Sequence, residues 1–166
     1  MNKEIDIMDY GPALESSDIA FKWLSRHKNQ FGHFINGKMT SPKDTFQTIN
    51  PSNLKVLAKI SKGNFTDVDN AVKSAKQAFK SWKKTKPFER SKYLYALARL
   101  IQKNSRILAV LETLDNGKPI RETRDLDIPL VVRHFYYHAG WAKILEDKFP
   151  RKKPIGVIGQ IIPWNF

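Results

Sequence analysis

Residues 154–166, Pro-Ile-Gly-Val-Ile-Gly-Gln-Ile-Ile-Pro-Trp-Asn-Phe, constrain the fold more than any other stretch of the chain. The run is apolar without alternation, the pattern of a strand buried on both faces rather than of a half-solvated one. Such a strand needs neighbours on both sides. In open α/β sheets, ligands settle where a parallel strand gives way to a loop, so Trp164, Asn165 and Phe166 are candidate site residues. The pair Gly156-x-x-Gly159 lacks the G-x-G-x-x-G spacing and the following helix of a dinucleotide fingerprint. Glycines that let another backbone approach a buried strand explain it better. The side-chain amide of Asn165 can donate a hydrogen bond to a developing oxyanion or close an Asx turn. The residues alone leave both readings open.

What precedes this strand is ordered by type. Tyr10-Gly11-Pro12 is a turn signal. Ser17 or Asp18 caps a short helix carrying Ile19, Ala20, Trp23 and Leu24, which Gln30–Gly32 ends. Residues 34–62 read as β: Phe34-Ile35 runs into Asn36-Gly37, the strongest short turn signal, and residues 45–49 and 56–60 form a hairpin about Asn50-Pro51-Ser52-Asn53. Four helices follow. The first opens on Thr66-Asp67-Val68-Asp69, read as a capping box, and repeats Val68, Ala71, Val72, Ala75, Phe79 and Trp82 at helical spacing opposite Lys73, Lys76, Lys80 and Lys84. The second opens on Pro87 and buries Leu94, Leu97, Ala98 and Ile101. The third, capped by Asn104 or Ser105, buries Ile107, Val110, Leu111 and Leu114 and stops at Asn116-Gly117. The fourth spans about 127–145 with Pro129 in its first turn. One buried strand is not a sheet, and an apolar strand edge left open seeks a partner. The expectation is therefore the front part of a larger α/β protein.

Composition excludes several chemistries. The chain has no cysteine, which removes disulfides, thiolate metal sites and cysteine nucleophiles from these 166 residues. No apolar run reaches the roughly 18 residues of a spanning helix, and acidic residues interrupt the N-terminus where a signal peptide would be apolar. The expectation is a cytoplasmic protein with no membrane partner. The net charge of +13 raises nucleic-acid binding. The cations are spread along the chain, lysine outnumbers arginine, and no zinc-finger or RNP-like pattern is present, so a solvated surface is the reading taken: no nucleic acid. His134 and His138 share a helix face at metal-binding spacing. Residue 135 is Phe and no third ligand is evident, so no metal site is assigned.

The stretch Gly156–Phe166 closely resembles the aldehyde dehydrogenase motif that ends in Pro-Trp-Asn. Leu111-Glu-Thr-Leu-Asp-Asn-Gly-Lys-Pro119 resembles that family's segment after its third helix. Phe34–Gly37, the Thr48-Ile49-Asn50-Pro51 turn and Asp67–Val72 resemble its N-terminal hairpin and first core helix. The resemblance implies a fold class: an α/β fold, with the N-terminal hairpin and helices of the family leading into the first strand of an incomplete Rossmann-like nucleotide-binding domain. It divides the chain into an N-terminal extension, 1–32, and a truncated N-terminal part of the family domain, 33–166.

It also implies NAD(P)-dependent oxidation of an aldehyde to a carboxylic acid, with NAD or NADP as cofactor. Asn165 matches the asparagine that stabilises the oxyanion, a catalytic role. Ile161, Ile162, Pro163, Trp164 and Asn165 match positions lining the cofactor cleft. Thr48 and Asp115 fall where some members hold a structural monovalent cation. The sequence departs from the family in lacking the cysteine nucleophile, the glutamate base and most of the nucleotide-binding sheet. Its connection over about 146–153 is also shorter than the family's hairpin there, a region of oligomer contacts. The implied partners are an aldehyde substrate and either a homo-oligomer or a complementary C-terminal part. The alternative is a non-catalytic fragment or docking module that associates with a full-length homologue.

Overall fold

The computed structural model of the chain describes residues 16–163. The Tyr10-Gly11-Pro12 turn and Trp164-Asn165-Phe166 lie outside the described residues. Helix α1 (Asp18–Arg26) starts from Ser17, which makes no side-chain cap. It buries Ala20 and Leu24, two of the four apolar residues its spacing marks. Lys28 and Asn29 then take positive φ, 55° and 50°, and turn the chain into β1 (Gln30–Phe31). Strand β1 is too short to carry a period-2 signal, which is why the sequence reads it as no more than the end of a helix.

Asn36 and Gly37 sit at φ 54° and 73°. Two successive positive values are what a two-residue type I′ hairpin turn requires, and they join β2 (Phe34–Ile35) to β3 (Lys38–Met39) as an antiparallel ribbon. Strands β4 (Thr45–Ile49) and β5 (Val56–Ser61) pair antiparallel, from Thr45 opposite Ser61 to Ile49 opposite Val56, with a bulge between Thr48 and Ile49. Strand β1 adds parallel to the free edge of β5, Phe31 opposite Ile60, so the sheet order is β1-β5-β4.

Helix α2 (Phe65–Trp82) is capped two residues earlier than the sequence suggests. The Asn64 side chain accepts from the Asp67 backbone N–H at 3.0 Å, and the Asp67 carboxylate accepts from the Asn64 N–H at 3.0 Å. Asn outranks Thr as an N-cap, so the reciprocal box forms on Asn64 and Asp67 and leaves Thr66 inside the first turn. The apolar stripe of α2 is not buried. None of its residues is, and Val68 is 61% exposed, because the helix touches the rest of the chain chiefly at β2. An amphipathic pattern reports a face that suits burial, not the presence of something to cover it.

Helix α3 (Pro87–Lys103) opens on its proline and α4 (Ser105–Asn116) follows from Asn104. The Asn104 side chain donates back to the Leu100 carbonyl rather than capping α4. Ala98 in α3 and Ala109 and Val110 in α4 are buried, while Leu97 stays 40% exposed. A short α5 (Ile120–Glu122) and a π-helical turn, Thr123–Asp127, lead into α6 (Ile128–Lys148), with Pro129 in its first turn. Helices α3 and α6 pack antiparallel along their length. Near one end Arg90 meets Glu146 at 2.7 Å; midway along, Tyr95 stacks edge-on to Tyr136 at 5.0 Å, and Tyr136 donates to Gln102 near the end of α3 at 3.1 Å.

The central core is Leu24, Leu57 and Ala58, joined by Trp23, Phe31, Ile60, Leu111 and Leu114. Residues 18–31 thus contribute a helix, a strand and core side chains to the same core as β5 and α4. Residues 154–163, which the apolar run marks as a doubly buried strand, pair with no described strand. Ile155, Ile158, Ile161 and Ile162 are 67–103% exposed. A strand is made by its neighbours, and no described strand lies beside this one.

Candidate functional site

Two of the stretches that carry the family resemblance meet, Leu111–Pro119 and the Asn50-Pro51 turn. The Leu111–Pro119 segment ends α4 with Gly117 at φ 80°, the left-handed value that closes a helix. A Cβ at Gly117 would lie 2.7 Å from Pro51 Cγ, so the helix end fits against the Asn50-Pro51 turn only without a side chain. That turn is itself fixed. Asn50 is buried, and its Oδ1 accepts from the Ser52 N–H at 2.9 Å and the Ser52 hydroxyl at 2.8 Å. Next to it the Thr48 hydroxyl donates to Asp115 Oδ1. Where α2 meets β2, Ser74 donates to Asn36 Oδ1 at 3.4 Å, and His33 lies 3.6 Å from Asp67.

A second set of contacts sits where α4 turns toward α6. The Asn116 amide donates to Glu112 Oε1 at 2.7 Å and its oxygen accepts from the Lys118 N–H at 2.8 Å. Lys118 Nζ bonds the buried Asp127 at Oδ2. Thr123 is wholly buried, with its hydroxyl against Thr113 Oγ1 at 2.8 Å and donating to the Ile120 carbonyl at 3.2 Å. The π-helical turn is what brings Thr123 and Asp127 onto the same inner side as Thr113 and Lys118, and no sequence signal marks it. On its outer side Arg124 grips Asp125 through two hydrogen bonds of 2.7 and 2.8 Å, and holds that exposed carboxyl below the usual range.

The assigned site residues lie at the far end of the chain from this corner. Ile161, Ile162 and Pro163 stand exposed at the end of the irregular 154–163 segment. Trp164 and Asn165 lie outside the described residues. Among the described residues no group of three acidic, histidine or cysteine side chains is arranged to hold a metal ion. His134 and His138 are exposed, with rings 6.3 Å apart, and His138 Nδ1 is 2.8 Å from the His134 carbonyl. No described helix is long and apolar enough to cross a membrane.

The aldehyde dehydrogenase family pattern matches residues 38–166. The chain belongs to the aldehyde dehydrogenase family. It is 44% identical over 147 residues to the putative aldehyde dehydrogenase DhaS of Bacillus subtilis, covering 80% of this chain and 30% of that protein. It is 42% identical over 137 residues to the mitochondrial aldehyde dehydrogenase of Rattus norvegicus, 75% of this chain and 26% of the relative. Among solved structures, HpcC of Thermus thermophilus superposes with a TM-score of 0.72 at 31% identity, over 82% of this chain and 27% of that one. The NAD+ complex of aldehyde dehydrogenase from Bacillus cereus superposes at 0.69 and 36% identity, over 87% and 28%. The chain therefore spans about 30% of the length of these relatives. Its helices and small sheet are a partial aldehyde dehydrogenase fold, corresponding to an N-terminal portion of the superfamily.

Proposed function

We propose that these residues form the N-terminal part of an NAD(P)-dependent aldehyde dehydrogenase that oxidises an aldehyde to a carboxylic acid. The supporting observation is the family match through residue 166, which takes in Ile161-Ile-Pro-Trp-Asn165. The role given to Asn165 is to donate its side-chain N–H to the aldehyde oxygen as that oxygen gains negative charge. An amide donor fixed by the backbone needs no reorganisation at the moment of reaction, which is the source of its advantage over water. A thiolate must attack the aldehyde carbon. With no cysteine in this sequence, that group is supplied by residues other than these 166.

The cofactor assignment rests on the resemblance, in which Ile161, Ile162, Pro163, Trp164 and Asn165 match positions lining the family's cofactor cleft. A bound nicotinamide supplies the hydride acceptor. The described residues offer no glycine-rich phosphate cradle, so the phosphates and ribose would be held from elsewhere, and NAD and NADP are not distinguished by these residues. In this reading 33–166 is the family domain's N-terminal part, a cytoplasmic location is expected, and the chain alone turns nothing over. Its macromolecular partner is a complementary C-terminal part or a further copy. A second reading, a non-catalytic module that docks on a full-length homologue, is favoured by one observation, the unpaired isoleucines of 154–163.

The test is reconstitution. The chain is expressed alone and with the complementary C-terminal part of a relative, and reduced cofactor is followed at saturating aldehyde. No turnover alone, turnover together, and a loss of about 10²–10³ on Asn165→Ala are expected. A complex that forms but stays inactive favours the docking module. Full turnover by Asn165→Ala refutes the role given to that residue.

A further inference from the structure

Between the end of α2, the start of α3 and the end of α6 lies a groove of ≈ 330 Å³. This volume is at the lower end of sites that take small molecules. Its floor is Phe79 and Trp82 from α2 with Leu145 and Phe149 from the end of α6. Trp82, Leu145 and Phe149 are 44–46% exposed, so no described residue closes the floor. Its rim is of the opposite character. Lys83, Arg90, Lys152 and Lys153 border it against a single carboxylate, Glu146, which is already engaged by Arg90 at 2.7 Å. Lysines 152 and 153 belong to the connection after α6, which folds back at Phe149 through a hydrogen bond from the Lys152 N–H to the Phe149 carbonyl at 3.0 Å. That turn sets two cations of the connection beside the apolar floor.

We infer that this groove binds a single-chain anionic amphiphile, of which a medium-chain carboxylate is the simplest, with the chain on the aromatic and aliphatic floor and the head at the rim lysines. A neutral alcohol of the same length would gain the floor and forgo the rim. A cationic amphiphile would meet like charge. A purely hydrophilic anion would gain the rim alone, where exposed charge pairing contributes little. The combination of floor and rim selects the amphiphilic anion, and the site stands apart from the Ile161–Asn165 segment, so it does not depend on the activity proposed above.

The experiment titrates the full chain with decanoate below its micelle concentration at 150 mM salt, by calorimetry and by tryptophan fluorescence. Trp82 lies on the floor and reports occupancy. Saturable binding is expected, with octanoate weaker by about 16-fold, since each buried methylene is worth about a factor of four. Decanol should bind about two- to fivefold more weakly, the scale of exposed charge pairing, and decyltrimethylammonium more weakly than decanol. Lys152→Glu/Lys153→Glu, at exposed positions, should weaken decanoate at least tenfold. Lys73→Glu/Lys76→Glu, exposed on α2 away from the groove, should leave it unchanged. Trp82→Ala, measured by calorimetry, should weaken decanoate and decanol alike. The inference is overturned if decanol binds as well as decanoate, if both lysine double variants lose binding equally, or if no saturable binding is found.

Discussion

The fit of Gly117 against Pro51 gives the sharpest test of how this body is held together. Gly117→Ala perturbs it in two separable ways. The first is conformational: φ is 80°, and an L side chain in the left-handed region costs about 1 kcal/mol relative to glycine. The second is steric: the new Cβ would lie 2.7 Å from Pro51 Cγ, inside any real Cβ contact, and Pro51 is held by the turn built on buried Asn50. Overpacking of this kind costs about 1–3 kcal/mol. The sum is about 2–4 kcal/mol, which for a chain of this size lowers Tm by about 4–16 °C. Urea and thermal unfolding followed by circular dichroism measure it. The decisive arm is the double variant. Pro51→Ala removes Cγ and leaves Cβ, which would sit 3.6 Å from the new methyl, an ordinary contact. Gly117→Ala in that background should therefore cost only the conformational part, about 1 kcal/mol, and the two substitutions should couple by about 1 kcal/mol or more. Additive effects, or a Gly117→Ala chain as stable as the parent, would refute the contact between the helix end and the turn.

Two further outcomes are expected from local features. Asn64→Ala should destabilise by about 0.5–2 kcal/mol through loss of the reciprocal cap, while Thr66→Ala stays within about 0.5 kcal/mol; helicity and urea midpoints distinguish them. Lys118→Met should cost about 1–3 kcal/mol, less than the roughly 3–5 kcal/mol of a fully buried broken pair because Lys118 is about one-third exposed, and Lys118→Met/Asp127→Leu should recover most of it in the same denaturant measurement.

The turns of this chain are legible in its sequence because they are chemical. Asn36-Gly37, Asn50-Pro51 and Asn116-Gly117 each need a particular backbone region or side-chain bond, and each sits where the residues say. Pro87 and Pro129 likewise start their helices. What the sequence does not disclose depends on neighbours. Strand β1 exists only because β5 offers an edge. The π-helical turn follows from fitting Thr123 and Asp127 against α4. The cap of α2 went to Asn64 because two candidates stood two residues apart and the better acceptor won. The apolar patterns of α2 and of 154–163 describe faces fit for burial, and these faces lie open. For the candidate site, the Pro163-Trp164-Asn165 motif was readable only as a resemblance. No spacing rule singles out Asn165, and the groove by Trp82 is made by residues about 70 positions apart, which no local motif reports.

The parallel placement of β1 on β5 has a consequence for the order of assembly. The β2–β3 and β4–β5 pairs close over a few residues of sequence and form on the microsecond scale of hairpins. Strand β1 has no described partner except β5, and the loop that returns it, Gln30 to Lys59, encloses both hairpins. It can dock only after the loop-closure entropy of that whole segment has been met. Helix α1 is bound to the same event, since Leu24 packs on Leu57 and Ala58. The corner holding α1 and β1 is thus the last to arrive and the first to leave. Removing side chain there, as in Leu24→Ala, should leave the folding rate nearly unchanged and speed unfolding.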